Sequence, residues 1–142
     1  MNQIHNRRNV VAALLGGTAL VWLATRSKQP DPQPADVPQL SLDSAKEWIA
    51  AGAIVLDVRG DEQCKFRHIP VAVLLPVEAL RLSIPAWLTA AKEKQIVVYC
   101  GDGVAHGPEA TRLLVQAGFG KAANLTVGVE GWEKAGLPLA RG

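Results

Sequence analysis

Cys100 closes an apolar run, Ile96 to Tyr99, and is followed by Gly101, Asp102, Gly103, Val104, Ala105, His106 and Gly107 before Pro108, where a helix is predicted to begin. A cysteine placed between a strand end and a helix start sits where peptide N–H groups gather, and such a place stabilises an anion, a thiolate included. The three glycines allow the backbone to turn its amides toward one point. Cys100 is therefore expected to be a nucleophile, with the amides of residues 101–107 as its anion-stabilising loop. Cys64 has no comparable surroundings and reads as a packing residue rather than a resolving thiol. His106 can shuttle a proton or hold an anion when charged, or stand as a solvated loop residue, and the sequence leaves both readings open. Asp57 and Arg59 are expected to pair and to support the rim of a sheet. His68 has no second ligand-type residue at a useful interval, so no metal is expected.

The elements that must position these residues alternate. Ser41 can cap a helix whose apolar positions Leu42, Ala45, Trp48 and Ile49 repeat at helical spacing and which Gly52 can end. Ala53 to Val58 and Ile96 to Tyr99 are short apolar runs without alternation, as expected of parallel strands covered on both faces. A weaker strand is predicted at Ala72–Leu75, and a helical stretch from Val77 to Glu93 that Pro85 must interrupt. Pro108 suits the first position of the next helix and Gly118 its end, with Leu113 and Leu114 facing inward. A strand at Ala122–Thr126 and a helix at Val129–Lys134 complete the chain. Trp48, Trp87 and Trp132 read as helix-face packing. The alternation predicts an open, mostly parallel α/β sheet with helices on both faces, and there are no internal repeats.

The 142 residues, 49% apolar and 20% charged, suffice for one domain with a core. Residues 1–40 hold four Lys/Arg against two Asp/Glu and residues 41–142 hold eleven of each, so the net charge of +2 belongs to the tail. A neutral domain with few aromatic residues lacks the footprint of nucleic-acid binding. Two cysteines form neither a disulfide framework nor a CxxC pair. Val10–Ala24 is uncharged and flanked by Arg7, Arg8, Arg26 and Lys28. As a helix it would span roughly 22 Å, short of a roughly 30 Å hydrocarbon layer unless the flanking arginines snorkel. Trp22 lies where a signal-peptide cleavage site before Thr25 wants a small residue, which favours an uncleaved anchor. Asn6-Arg7-Arg8-Asn9 also resembles a twin-arginine export signal. Residues 1–27 are thus expected to be a membrane anchor or signal helix, 28–37 a stiff proline-rich linker, and 38–142 the domain, on the exported side; the alternatives are the cytoplasmic face or secretion after cleavage.

Asp57-Val58-Arg59, His68-Ile69-Pro70 with Ala72, Val97-Val98-Tyr99-Cys100 with Gly103, Gln116-Ala117-Gly118-Phe119, and Gly128, Trp132 and Gly136-Leu137-Pro138 occur in one order across residues 38–140. Together they resemble a single rhodanese domain. The resemblance implies a three-layer α/β/α fold with a five-stranded mostly parallel sheet. It also implies sulfur transfer through a persulfide on Cys100, from a small sulfur donor to a thiol acceptor or carrier protein, without a cofactor. The sequence departs from that family in its loop. Where the usual sulfurtransferase has Arg, five residues after the cysteine, stands Ala105, and His106 comes one residue later. That spacing is similar to the phosphatase and arsenate-reductase branch, but a histidine cannot replace the permanent bidentate clamp of an arginine. Asp102 would repel thiosulfate or phosphate, which favours a less charged donor. Arg67 and Val71 replace the glycines that normally flank His-Ile-Pro.

Three functions are therefore expected in descending order. The first is a sulfurtransferase acting through Cys100. The second is a catalytically inactive, membrane-tethered binding module, and the third a phosphatase- or arsenate-reductase-like anion site.

Overall fold

Ser41 has extended backbone and its hydroxyl accepts the amide of Ser44 at 3.2 Å, which starts α1 (Leu42–Ala50). The helix ends as predicted at Gly52, where Gly52 N–H returns to Ile49 C=O and Ala53 N–H to Trp48 C=O. The computed structural model describes residues 36–142; Val10–Ala24 and nearly all of the linker lie outside the described residues. Among the described residues no helix is long and apolar enough to cross a membrane.

The chain continues from β1 (Gln39–Leu40) and α1 through β2 (Ile54–Asp57), α2 (Asp61–Phe66), β3 (Val73–Leu74), α3 (Val77–Leu82), α4 (Ala86–Thr89), β4 (Ile96–Tyr99), α5 (His106–Gln116), β5 (Ala122–Leu125) and α6 (Gly128–Lys134). The five strands are ordered β1-β5-β4-β2-β3 and every pairing is parallel. β4 and β5 are buried along their whole length, β4 as an uninterrupted apolar run and β5 with the polar Asn124 inside it.

Side-chain alternation along β4 divides the core. Ile96, Val98 and Cys100 join Leu56, Val77, Leu80, Leu88 and Leu114 on the face covered by α3, α4 and α5. Val97 and Tyr99 join Ala45, Val55, Val129 and Trp132 on the face covered by α1 and α6. The layering is helix, sheet, helix.

Several local expectations change. β1 and α2 were not foreseen: a two-residue edge strand has no readable period, and six residues are too few for one. Pro85 does interrupt the stretch after Val77, but helix ends at Thr89 rather than Glu93. α5 starts at His106, so Pro108 is its third residue, where an amide still has no intrahelical acceptor and proline costs nothing. Leu114 is fully buried and Leu113 packs beside it at the core edge. Trp132 packs as expected, and its indole N–H donates to Pro138 C=O at 2.8 Å. Trp87 instead stands 47% exposed, because the four-residue α4 buries Leu88 and turns its neighbour outward.

Candidate active site

Parallel strands direct their carboxyl ends to one rim of the sheet, and the crevice there is where ligands bind in such folds. β4 is the middle strand, so the loop leaving Tyr99 is flanked on one side by the chain leaving β2 and on the other by the chain leaving β5. Cys100 therefore meets Arg59 and Gln63 from one neighbour and Glu130 from the other. These residues, with Gly101, Asp102, Ala105 and His106, line a pocket of about 240 Å³. A second pocket of about 290 Å³ shares Arg59, Gln63, Gly101 and Glu130 and adds Glu62, Phe66 and Arg67. Cys100 is only 2% exposed, so its sulfur is reached through the first pocket rather than from open solvent.

The loop is fixed from below by the neighbouring strand. Val98 and Asn124 are register partners and face the same side of the sheet as Cys100. Asn124 is fully buried, and its Nδ2 donates to Gly103 C=O at 2.9 Å and to Gln39 Oε1 at 2.9 Å. Its Oδ1 has no hydrogen-bond partner among the described residues. A Cβ on Gly107 would lie 2.2 Å from that oxygen and 3.3 Å from Cys100 Sγ, which places the first turn of α5 directly against the sulfur. Gly103 adopts φ 81° and a Cβ there would meet Thr126 C=O at 2.1 Å, so only glycine permits this approach. The amides of Val129 and Glu130 donate to the carbonyls of Cys100 and Gly101, each at 3.0 Å. Loop, strand β5 and helix α6 thus hold one another.

Within the loop the charge pattern differs from the expected one. The amides of Val104 and Ala105 do not aim at the sulfur. Both donate to Asp102 Oδ1, at 2.9 and 3.2 Å, and that oxygen lies 3.6 Å from Cys100 Sγ. The two amide bonds hold the Asp102 carboxyl below its ordinary range, so it is ionised at neutral pH. The physical reason is reach: a one-carbon stem at the second loop position can fold back onto amides two and three residues ahead, before any outside anion competes.

The rim beside the loop is built on a buried ion pair. Arg59 Nε and Nη2 donate to the two Asp57 oxygens at 2.9 and 2.6 Å, and Nη2 also reaches Arg67 C=O at 2.6 Å. Burial lowers the pKa of Arg59, but its hydrogen bond and charge contact with Asp57 outweigh this and leave it raised. Tyr99, the register partner of Asp57, completes the set: its hydroxyl donates to Asp57 Oδ2 at 2.9 Å and accepts Ile69 N–H at 3.1 Å. Burial first and the Asp57 charge second push the tyrosine hydroxyl well above its ordinary value, so it stays a donor. Arg67 is paired with Glu133. The two arginines at the pockets are thus engaged by carboxylates, while Glu62, Asp102 and Glu130 face the same space.

Of the residues singled out by sequence, Cys100, Gly101, Asp102, Ala105, His106 and Arg59 line the pocket. Gly103 and Gly107 lie beneath it and Val104 is 60% exposed. Cys64 is buried in α2, where burial raises its thiol pKa and Asp57 raises it further. His68 Nδ1 lies 2.9 Å from Cys64 C=O. Sequence reasoning missed Gln63, Glu130 and Asn124. Only Asn124 carried a signal, as a polar residue inside a strand with both faces covered.

A family model for the rhodanese-like domain matches residues 41–135. A sulfurtransferase of Allochromatium vinosum is 29% identical over 86 residues, which cover 61% of this chain and 77% of the relative. The uncharacterized YibN protein of Escherichia coli K12 is 31% identical over 90 residues, 63% of this chain and 62% of that protein, so just under two thirds of its length is spanned. The human single-domain sulfurtransferase TSTD1 superposes with a TM-score of 0.57 at 29% identity, covering 68% of this chain and 96% of that one. The parallel sheet, the cysteine at the end of its middle strand and the match over most of the domain have one meaning: the chain belongs to the rhodanese-like domain family.

Proposed function

We propose that the domain is a sulfurtransferase whose carrier is Cys100. The observation that supports this best is the placement of its sulfur at the carboxyl end of the middle strand, against the first turn of α5 and open to a pocket large enough for a small donor. In the first half of the cycle the Cys100 thiolate attacks the outer sulfur of a donor R–S–SH. The S–S bond of the donor breaks as the new one forms, and R–S⁻ leaves. In the second half an acceptor thiolate attacks the outer sulfur of the Cys100 persulfide and the thiolate is regenerated, with no net oxidation or reduction. The acceptor is a thiol, either small or on a carrier protein. The proline-rich linker and the Val10–Ala24 segment would tether this reaction to a membrane on its exported side, a proposal that rests on sequence alone. Full-length protein incubated with sulfur donors should gain the mass of one sulfur, lost again on adding a thiol and absent in Cys100→Ser. Wild type that never gains sulfur would refute the proposal.

The engagement of two loop amides by Asp102 favours one competitor, a binding module with a silent cysteine. The same mass measurement separates the two, since the binding module predicts no adduct with any donor.

A further inference from the structure

We propose that Asp102 selects the sulfur donor: its carboxylate takes two of the loop's amides beside Cys100 and sets a negative charge there, so the site refuses the thiosulfate dianion and takes sulfur from organic persulfides. This rests on the sulfurtransferase reading above and adds the residue that selects its donor.

A sulfur-transfer loop needs peptide N–H groups for the charge that the transferred sulfur brings. Here Val104 and Ala105 N–H are already satisfied by one oxygen of Asp102, 3.6 Å from the sulfur that must carry out the attack. An incoming thiosulfate would have to bring two negative charges to a carboxylate that the loop itself keeps ionised. The surroundings do not offset this. Arg59 is bound by Asp57 and Arg67 by Glu133, and Glu62 and Glu130 add further negative charge at the pocket walls. His106 at the rim is the remaining candidate cation among the residues lining the first pocket. An organic persulfide brings at most one charge on the transferring sulfur, and its carbon-bearing half can lie along the second pocket beside the Phe66 ring and the stem of Gln63. Asp102 is exposed, so water screens the charge repulsion across a few ångströms, but against a dianion it still exceeds thermal energy, and it falls with added salt.

The test uses full-length protein and two probes, thiosulfate and cysteine persulfide, with the rate of Cys100 sulfur loading read by mass. Asp102→Asn keeps an oxygen for the two amides and removes only the charge. It should raise the thiosulfate rate relative to the cysteine persulfide rate by about tenfold or more, whereas Asp102→Glu should leave the ratio near that of wild type. Added salt should speed thiosulfate loading of wild type and have little effect on Asp102→Asn, a response that a purely structural role would not produce. An unchanged donor ratio and salt response in Asp102→Asn, with wild type still loading from cysteine persulfide, would overturn the selection while leaving sulfur transfer intact. Failure of wild type and variant alike with both donors would overturn both.

Discussion

At Gly107 helix α5 closely approaches both strand β5 and the Cys100 sulfur, and Gly107→Ala tests how rigid that contact is. The added Cβ would sit 2.2 Å from Asn124 Oδ1, roughly 1 Å inside ordinary contact. A free side chain would move away, but Asn124 is tied by its Nδ2 to Gly103 C=O and Gln39. Overpacking of this kind costs about 1–3 kcal/mol, loss of the Gly103 bond about 1 kcal/mol more, and the better helix propensity of alanine returns about 1 kcal/mol. The net expectation is a destabilisation of about 2 kcal/mol in wild type, measured by urea unfolding of the full chain. In an Asn124→Ala background the obstructing oxygen is gone, and the same substitution should cost about 1–2 kcal/mol less. Alkylation of Cys100 should show the same pattern, altered in Gly107→Ala and closer to its background rate in the double variant. Equal costs in both backgrounds, or a Gly107→Ala protein more stable than wild type, would refute the geometry.

Val71 has φ 66° and is 74% exposed, so it holds a left-handed backbone without packing in return. Relief of about 1–2 kcal/mol of strain exceeds the extra chain entropy of glycine, and Val71→Gly should stabilise the domain by about 0.5–1 kcal/mol on denaturation. Arg67, the other residue replacing a glycine, has a C-cap φ of −164° and should show no such gain. Asp102 has a folded pKa below that of the unfolded chain, so its contribution to stability is fully present above the ordinary aspartate range and lost as pH falls through the lower folded value. A carboxyl NMR titration should place its midpoint below that of an exposed aspartate, and the stability difference between wild type and Asp102→Asn should shrink on acidification.

Much of this architecture is legible in the order of residues alone. Parallel strands buried on both faces announce themselves as short apolar runs without alternation, which located β2 and β4. Helix ends are set by local chemistry, so Ser41, Gly52, Pro85 and Gly118 marked boundaries correctly. Cys100 and its loop could also be located from neighbours in sequence, because a strand end and a helix start are local events. β1 escaped notice because its two residues gain meaning only by pairing with Asn124 and Leu125 across the chain.

What the sequence could not decide was direction. Glycines in the loop establish that its amides are able to turn, but only the folded chain shows the Val104 and Ala105 N–H groups meeting Asp102 instead of sulfur. Whether a polar strand residue is buried idle or acts as a brace depends on register, and register alone sets Asn124 beside Val98 under the loop. The same holds for Glu62, Gln63 and Glu130, which are far from Cys100 along the chain and reach its pockets because three parallel strands end at one rim. Short-range patterns encode elements through backbone chemistry; the aim of side chains and amides across those elements is a property of packing, which couples residues that no local pattern connects.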